Sequence, residues 1–426
     1  MHALGIDVGT TRTSAASWRD GRVDVLPLGR ETPWVPTVAL LTQDDTLLVG
    51  EPAKAASPGA PDRSAWEFTR RFGDALGLLM AGRQVGADWL VTRMLQWVLA
   101  AAADQVGEEP GHVAVTVAGS WRDHRVDLLR QVSVRAGIPA NRLTLVPVPI
   151  AAWMGTVDRH PPDPGTLLGV YDLGGATFEA SLLRVVPTGL ELVGTSLSSS
   201  QLAGADVDRE LLRHVTAEIG DVWRRLDHGE AAVRTGVHRL RRAVVAAKET
   251  LSVAPWAVVP VELPGITTEV TLTRAQLEVA IEPLLLGTLD LFERCLQAAG
   301  LAATDLDSVL LIGGGSRMPL VRSLLSERLA APIVARAEPE QAVSLGAAVA
   351  AGTQLARPAP APTAAAGPAC LLAPVADPLP GPSTGPDPGP GPTVVPRPAG
   401  RGAVSVGLLL LLALAILVIA LARAHG

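Results

Sequence analysis

Two segments that combine aspartate, glycine and threonine carry the strongest chemical signal in this chain. The first, residues 4–13, contains Asp7, and the second, residues 170–179, contains Asp172. Each pattern predicts a short apolar strand, an aspartate, and a tight turn of small residues that leads into a second strand. Such turns let backbone N–H groups and threonine hydroxyls approach a polyphosphate, and the aspartates stand where carboxylates hold hydrated Mg²⁺. One such loop is common in proteins, whereas a pair predicts two related lobes that enclose one Mg-nucleotide.

Three further segments follow in an order that narrows the interpretation. The first of them, residues 247–252, contains Lys248 and Ser252 and follows the second loop. The second, residues 308–319, predicts a strand that runs into three glycines. The third, residues 338–349, predicts a helix of small residues. With these segments the chain resembles the nucleotide-binding domain of the seventy-kilodalton heat-shock chaperones, which belong to the actin, sugar-kinase and chaperone ATPase superfamily. Sugar kinases share the first loop, but the strings at 171–178 and 313–319 favour the chaperone branch.

The resemblance covers about residues 3–355 and implies an α/β fold of the two-lobed, actin-like ATPase type with a nucleotide cleft. It implies a first lobe over about residues 1–165, a second lobe over about 166–335, and a return to the first lobe over about 336–355. A chain of 426 residues is long enough for two such lobes. The resemblance also implies that ATP or ADP binds together with Mg²⁺.

The same resemblance assigns roles to individual residues. Lys248 and Ser252 would face the adenine or the ribose, although a plain surface position is the alternative for Lys248. Arg317 would stack on the base, because its guanidinium is planar and weakly hydrated. The catalytic residues that the resemblance implies are Asp7, Asp172, Thr177 and Glu179, of which Asp7 and Asp172 would hold Mg²⁺ through water. The nucleotide contacts that it implies are Gly9, Thr10, Thr11, Gly174, Gly175, Ala176, Thr177, Gly204, Lys248, Ser252, Gly313, Gly314, Gly315, Arg317 and Glu340.

Two positions depart from the family pattern in a way that bears on catalysis. Thr69 stands where these ATPases carry a lysine near the γ-phosphate, and Val148 stands where they carry a glutamate that positions water or metal. Arg70 or Arg71 is left to supply the missing positive charge, and the role of Arg12, where the family usually has asparagine, is open. Losing a charge partner of the transition-state phosphate typically costs about 10²-fold or more in rate. The sequence therefore supports nucleotide binding more strongly than turnover.

Charge and cysteine content argue against several other classes of protein. The net charge of −6 gives no basic footprint for nucleic acid. The two cysteines, Cys295 and Cys370, form neither a metal-type spacing nor a disulfide framework. Because the chain enters its first predicted strand at once, we expect no signal peptide.

Composition changes sharply after the predicted globular part. Residues 356–402 are rich in proline, alanine and glycine, which predicts an extended, disordered spacer. Residues 403–422 are apolar apart from Ser405, and as a helix they would cross the roughly 30 Å hydrocarbon layer. A buried core helix is the alternative, but this segment is apolar on every side and follows a long spacer. With only residues 423–426 after it, we expect a C-terminal tail anchor that contacts membrane lipid and leaves the large domain in the cytoplasm.

Three functions remain open from the sequence. Full chaperones of this family continue into a peptide-binding domain and a lid, and we expect no peptide clamp here because only spacer and anchor follow. The first hypothesis is an active chaperone-type ATPase that assists protein folding. The second is a membrane-tethered switch or scaffold that closes on nucleotide, recruits an unidentified protein and hydrolyses ATP weakly, and the third is a small-molecule kinase. Thr69 and Val148 favour the second hypothesis, and the string at 171–178 disfavours the third.

Overall fold

The strands of this protein fall into two groups along the chain. The computed structural model describes residues 1–156, 162–336 and 338–356. The strands of the first group are β1 (Ala3–Val8), β2 (Arg12–Arg19), β3 (Arg22–Leu26), β4 (Trp34–Pro36), β5 (Val38–Leu41), β6 (Leu47–Val49), β7 (Ser64–Trp66), β8 (Leu78–Met80), β9 (Arg83–Val85), β10 (His112–Val117) and β11 (Leu143–Pro147). Those of the second group are β12 (Leu167–Leu173), β13 (Phe178–Val186), β14 (Gly189–Leu192), β15 (Leu197–Ser199), β16 (Trp256–Leu263), β17 (Ile266–Thr273), β18 (Ser308–Ile312) and β19 (Ile333–Ala335).

Helices connect and cover these strands. They are α1 (Glu51–Ala56), α2 (Ala87–Val106), α3 (Asp123–Arg135), α4 (Val148–Met154), α5 (Gly204–Glu218), α6 (Gly220–Arg225), α7 (Ala231–Leu251), α8 (Arg274–Ala298), α9 (Pro319–Arg328) and α10 (Ala342–Ala356). In α7 the buried residues Val233, Leu240, Val244 and Leu251 recur at helical spacing, which places one apolar stripe towards the core. The arginines of this helix lie outside that stripe.

The first sheet has the order β11–β10–β1–β2–β3, with β4 paired to β2. Strands β1 and β2 form an antiparallel hairpin, whereas β10 and β11 run parallel to β1. The carboxyl ends of β1, β10 and β11 therefore meet at one edge of the sheet. The turn between β1 and β2, which carries the first predicted phosphate loop, lies at this edge.

The second sheet repeats this arrangement strand for strand. Its order is β14–β13–β12–β18–β19, with β15 paired to β13. Here β12 and β13 form the antiparallel hairpin, and β18 and β19 run parallel to β12. The two mixed sheets confirm the predicted α/β class and are consistent with a two-lobed, actin-like ATPase fold. We call each sheet with its own helices a lobe.

Helices α4 and α10 join the two lobes. Each lobe has an apolar core of its own, and a further core contains residues from both sheets together with α4 and α10. The two helices cross so closely that a Cβ added at Gly346 would overlap the carbonyl group of Ala151. Close helix contact of this kind requires residues without bulky side chains, which explains the small-residue pattern of α10.

The predicted membrane segment, residues 403–422, lies outside the described residues, as does the spacer from residue 357 onwards. Within the described ranges, no helix combines the length and the apolar character that a membrane crossing requires.

Candidate functional site

The two predicted phosphate loops line one cavity of about 740 Å³. The first loop follows β1 and the second follows β12, at the corresponding edge of each sheet. In each hairpin the strands pair up to a four-residue turn, since Val8 lies opposite Thr13 and Leu173 lies opposite Phe178. The cavity therefore lies between equivalent turns of the two lobes.

Asp7 stands next to the last residue of β1 and lines the cavity. The hydroxyl of Thr116, on the parallel neighbour β10, donates a hydrogen bond of 2.6 Å to Asp7 Oδ1. Burial raises the pKa of Asp7 to about 6, and the bond from Thr116 opposes this shift. The Asp7 carboxylate is thus oriented by one neutral donor and carries its charge at a cost in free energy.

Asp172 occupies the equivalent place in β12. Burial raises the pKa of Asp172 to about 8, and the negative charges of Glu179 and Asp7 raise it further. Among the described residues, none donates a hydrogen bond to the Asp172 carboxylate. A carboxylate with these surroundings favours either a proton or a cation.

A hydrated divalent cation fits this pair of carboxylates. Asp7 and Asp172 offer hard oxygen ligands, and a cation between them would remove their mutual repulsion. Within the described part of the chain, no group of three or more histidine, cysteine or acidic side chains is placed to hold a metal. An ion here would take its remaining ligands from water and substrate, which is the usual coordination of Mg²⁺.

Backbone groups of the second loop pack tightly against neighbouring elements. The Gly174 N–H donates to the Thr177 carbonyl at 2.9 Å, and the Gly204 N–H at the start of α5 donates to the Gly174 carbonyl at 3.0 Å. A Cβ added at Gly175 would lie 2.5 Å from Thr11 of the first loop. The two loops are therefore in contact, and a larger residue at position 175 would push them apart.

Glu179, the second residue of β13, connects the two lobes. Its carboxylate accepts hydrogen bonds from the Gly119 N–H at 2.9 Å, the Ser120 N–H at 3.1 Å and the Ser120 hydroxyl at 2.6 Å. Burial raises the pKa of Glu179, and these donors lower it. Gly119 and Ser120 thus donate to both carboxylate oxygens. The Glu179 side chain therefore links β13 to the loop after β10.

Thr69 and Val148, the two departures from the family pattern that bear on catalysis, both line the cavity. The Thr69 hydroxyl is buried and has no hydrogen-bond partner among the described residues. Val148 begins α4 and offers only an apolar surface. Arg70 and Arg71 also line the cavity, but they pair with Glu67 at 3.0 Å and with Asp74 at 2.7 Å.

The predicted adenosine contacts lie in two places. Gly313 and Gly314 line the cavity, and Gly313 has φ +78°, a conformation that glycine adopts readily. Lys248 Nζ lies 2.7 Å from the Asp208 carboxylate and 3.3 Å from the Gly204 carbonyl, behind the second loop. In this conformation Lys248 supports the start of α5.

The predicted residues that line the cavity are Asp7, Gly9, Thr10, Thr11, Asp172, Gly174, Gly175, Thr177, Glu179, Gly313, Gly314 and Glu340. Those that lie outside its lining are Ala176, Gly204, Lys248, Ser252, Gly315 and Arg317. Ser252 donates its hydroxyl to the Lys248 carbonyl one helical turn away. The binding and catalytic roles of these residues stay predictions.

The structure adds cavity residues that the sequence did not indicate. They are Trp34, Trp66, Thr116, Ser120, Trp121, Arg125 and Ser198 to Ser200, and they lie beside Arg12, whose role the sequence left open. The sequence could have indicated Thr116, because it is a polar residue that follows the apolar residues 113–115 near the carboxyl end of β10. No local sequence pattern indicates Trp34 or Trp121, because they reach the cavity only through the folding of the lobe.

Comparison with known proteins agrees with this geometry. The model of the Hsp70 protein family matches residues 75–357. The chaperone protein DnaK of Methanothermobacter thermautotrophicus is 27% identical over 363 residues, which are 82% of this chain and 59% of that protein. The chaperone protein DnaK of Elusimicrobium minutum is 26% identical over 361 residues, which are 82% of this chain and 57% of that protein.

This chain spans less than three fifths of the length of these relatives. Family membership implies nucleotide binding with Mg²⁺. Since the family model covers more than half of the sequence, and the two lobes carry equivalent loops around one cavity, the chain belongs to the Hsp70 family and contains its ATPase domain.

Proposed function

We propose that this protein is a membrane-tethered nucleotide switch or scaffold that binds ATP or ADP with Mg²⁺ and hydrolyses ATP weakly. The observation that carries the proposal is one cavity that has, on each side, a phosphate-type loop and an aspartate with a raised pKa. In this proposal the loop amides hold the phosphates, and Asp7 and Asp172 hold Mg²⁺ through water. The positive charge of the cation would offset the negative charges of these two carboxylates and of the phosphates.

Three side chains that line the same cavity support weak hydrolysis. Thr69 and Val148 offer neither a cation for the transition state nor a carboxylate for the attacking water. The carboxylate of Glu179 is already engaged by Gly119 and Ser120. Binding without rapid turnover gives a protein that stays closed for a long time after ATP binds, which suits a switch.

The membrane tether is supported by the sequence of residues 403–422 and by the spacer that precedes it. The composition of the spacer, about 45 residues, predicts a coil reach of roughly 35–40 Å. The proposed tail anchor leaves the nucleotide-binding part on the cytoplasmic side, close to the bilayer. A protein partner at that surface would recognise the open or the closed arrangement of the lobes.

The test measures thermal unfolding of the full chain in detergent, with and without ATP or ADP and Mg²⁺. A ligand that binds only the folded protein raises the melting temperature by mass action. Asp7→Ala and Gly174→Val should each remove most of that increase, while Asp290→Ala, which changes an exposed carboxylate outside the cavity, should retain it. An unchanged melting temperature of the wild-type chain at millimolar nucleotide would overturn the proposal.

A further inference from the structure

Arg12 joins the two lobes at the cavity, and the proposed function does not use it. It begins β2, directly after the first phosphate loop, and its guanidinium lies 4.1 Å from the ring centre of Trp34 in the same lobe. From that position Arg12 Nη2 reaches Glu249 Oε1 at 2.9 Å. Glu249 belongs to α7 of the second lobe, so this ion pair crosses the cleft.

The pair is part of a longer series of alternating charges. Arg12 Nη1 lies 3.9 Å from Glu340 Oε1, and the guanidinium of Arg317 donates to both oxygens of Glu340, at 2.7 and 3.1 Å. The series Glu249–Arg12–Glu340–Arg317 therefore links α7, the first phosphate loop, the segment before α10 and the turn after β18. We call it the cleft series.

The guanidinium also lies over the glycine loop of the second lobe. A Cβ added at Gly314 would be 3.6 Å from Arg12 Nη1. Stacking on Trp34 holds the planar guanidinium on one side, and cation–π contact of this kind adds to the ion pair. Arg12 is only 28% exposed, although Glu249 is 56% exposed, so solvent screens the pair in part.

The ion pair between Arg12 and Glu249 matters for how the two lobes are held together. Helix α7 packs on α5, α8 and β16, whereas the lobes are joined through α4 and α10. Gly175 lies against Thr11 of the first loop, so the two lobes also meet at the loops that line the cavity. A bond between α7 and the first loop resists separation of the lobes.

We propose that Arg12 is a positioning residue that fastens the lobes across the cleft, so that the Arg12–Glu249 pair slows the release of bound nucleotide. This inference rests on the proposed nucleotide binding. The alternative is that Arg12 only stabilises its own lobe by stacking on Trp34, in which case Glu249 has no influence on release.

The experiment measures release of a fluorescent ADP analogue from the full chain, chased with unlabelled ADP by stopped flow. The variants are Arg12→Gln, Glu249→Gln and the double variant. Each single change should speed release about two- to five-fold, which is the effect of a partly exposed ion pair. The double variant should release no faster than the faster single variant, because either change alone breaks the pair.

A matched control comes from the same helix. Arg239 pairs with Glu262 at 3.6 Å within the second lobe, so Arg239→Gln removes an ion pair of α7 without touching the cleft, and it should leave release unchanged. Raising the salt concentration from about 0.05 to about 0.5 M should speed release from the wild type, since salt screens ion pairs. It should have little effect on the double variant.

Two outcomes would overturn the inference while leaving the proposed function intact. One is release at the wild-type rate from Glu249→Gln, whatever the effect of Arg12→Gln. The other is a double-variant effect equal to the product of the two single effects, since independent side chains behave in that way. A wild-type chain that binds no ADP at all would instead refute the proposed function and this inference with it.

Discussion

The carboxylate of Asp172 lies near enough to that of Asp7 for the two charges to repel each other, although the residues belong to different sheets. Each aspartate stands at the equivalent end of the central strand of its lobe. The repulsion exists only because the lobes are docked with their loops in contact. A cation between the carboxylates would therefore stabilise both the charges and the docking.

The first prediction concerns pH. The pKa of Asp172 is raised from 3.8 to about 8 and that of Asp7 from 3.8 to about 6, so the folded state binds these protons more tightly than the unfolded state. Their contribution to stability is complete below about pH 4 and is lost as the pH rises through 6 and 8. In metal-free buffer, Asp172→Asn should therefore exceed the wild type in free energy of unfolding near pH 8.5, and the gap should narrow towards pH 5.

Urea unfolding at several pH values measures this gap. Asp290→Asn is the matched control, because Asp290 is an exposed carboxylate that pairs with Arg328 at 3.2 Å. A difference between Asp172→Asn and the wild type that stays constant from pH 5 to pH 8.5 would contradict the burial argument for Asp172.

The second prediction concerns the crossing of α4 and α10. An alanine in place of a glycine inside a helix usually gains about 1 kcal/mol, but a Cβ at Gly346 would overlap the Ala151 carbonyl. Forcing atoms into a packed contact costs about 1–3 kcal/mol or more, and backbone atoms cannot move aside as a flexible side chain can. Gly346→Ala should therefore lower the free energy of unfolding.

Denaturant unfolding compares Gly346→Ala with Gly59→Ala, where an added Cβ would meet no atom within 4 Å. The Gly59 variant should stay close to the wild type. If Gly346→Ala proved as stable as the wild type, the close crossing of the two helices would be wrong.

The parts of the site that the sequence predicted are local in the chain. The strand–turn–strand patterns around Asp7 and Asp172 need only a few consecutive residues to specify a hairpin with a glycine turn. The equivalent order of the strands then brings both turns to the same cavity. For this reason the α/β class and the shared cavity could be predicted from the sequence alone.

The parts that the sequence did not predict join residues that are far apart in the chain. Arg12 and Glu249 are 237 positions apart, and Ser120 and Glu179 are 59 apart. Neither pair belongs to a pattern within one segment, because each contact depends on how the lobes dock. For Lys248, the local motif indicates the residue but not the direction of its side chain. That side chain lies against Asp208, behind the second loop.

The third prediction concerns the proposed anchor. Deleting residues 403–422 should release the protein from membranes, because the deleted segment is the apolar stretch that fits a bilayer crossing. The truncated protein should keep its nucleotide-dependent rise in melting temperature. Flotation of expressed protein on a density gradient, before and after an alkaline carbonate wash, measures the attachment. A truncated protein that remains with the membrane fraction after the wash would refute the tail anchor.

The fourth prediction concerns hydrolysis. Thr69 and Val148 line the cavity, and on the proposed match to the family pattern they replace one positive and one negative group, each of which typically contributes about 10²-fold to such reactions. The wild-type chain should therefore release phosphate slowly from saturating MgATP. The double variant Thr69→Lys with Val148→Glu should raise the rate at least about ten-fold, because both charges would then line the cavity in which we propose that the phosphates bind.

Steady-state phosphate release measures the effect, with each single variant alongside the double variant. Asp7→Ala added to the double variant should abolish the gain, which shows that the activity belongs to this cavity and not to a contaminating enzyme. Membrane attachment should be the same in all variants, since the substitutions lie far along the chain from residues 403–422. Wild-type turnover equal to or above that of the double variant would overturn the proposal of weak hydrolysis.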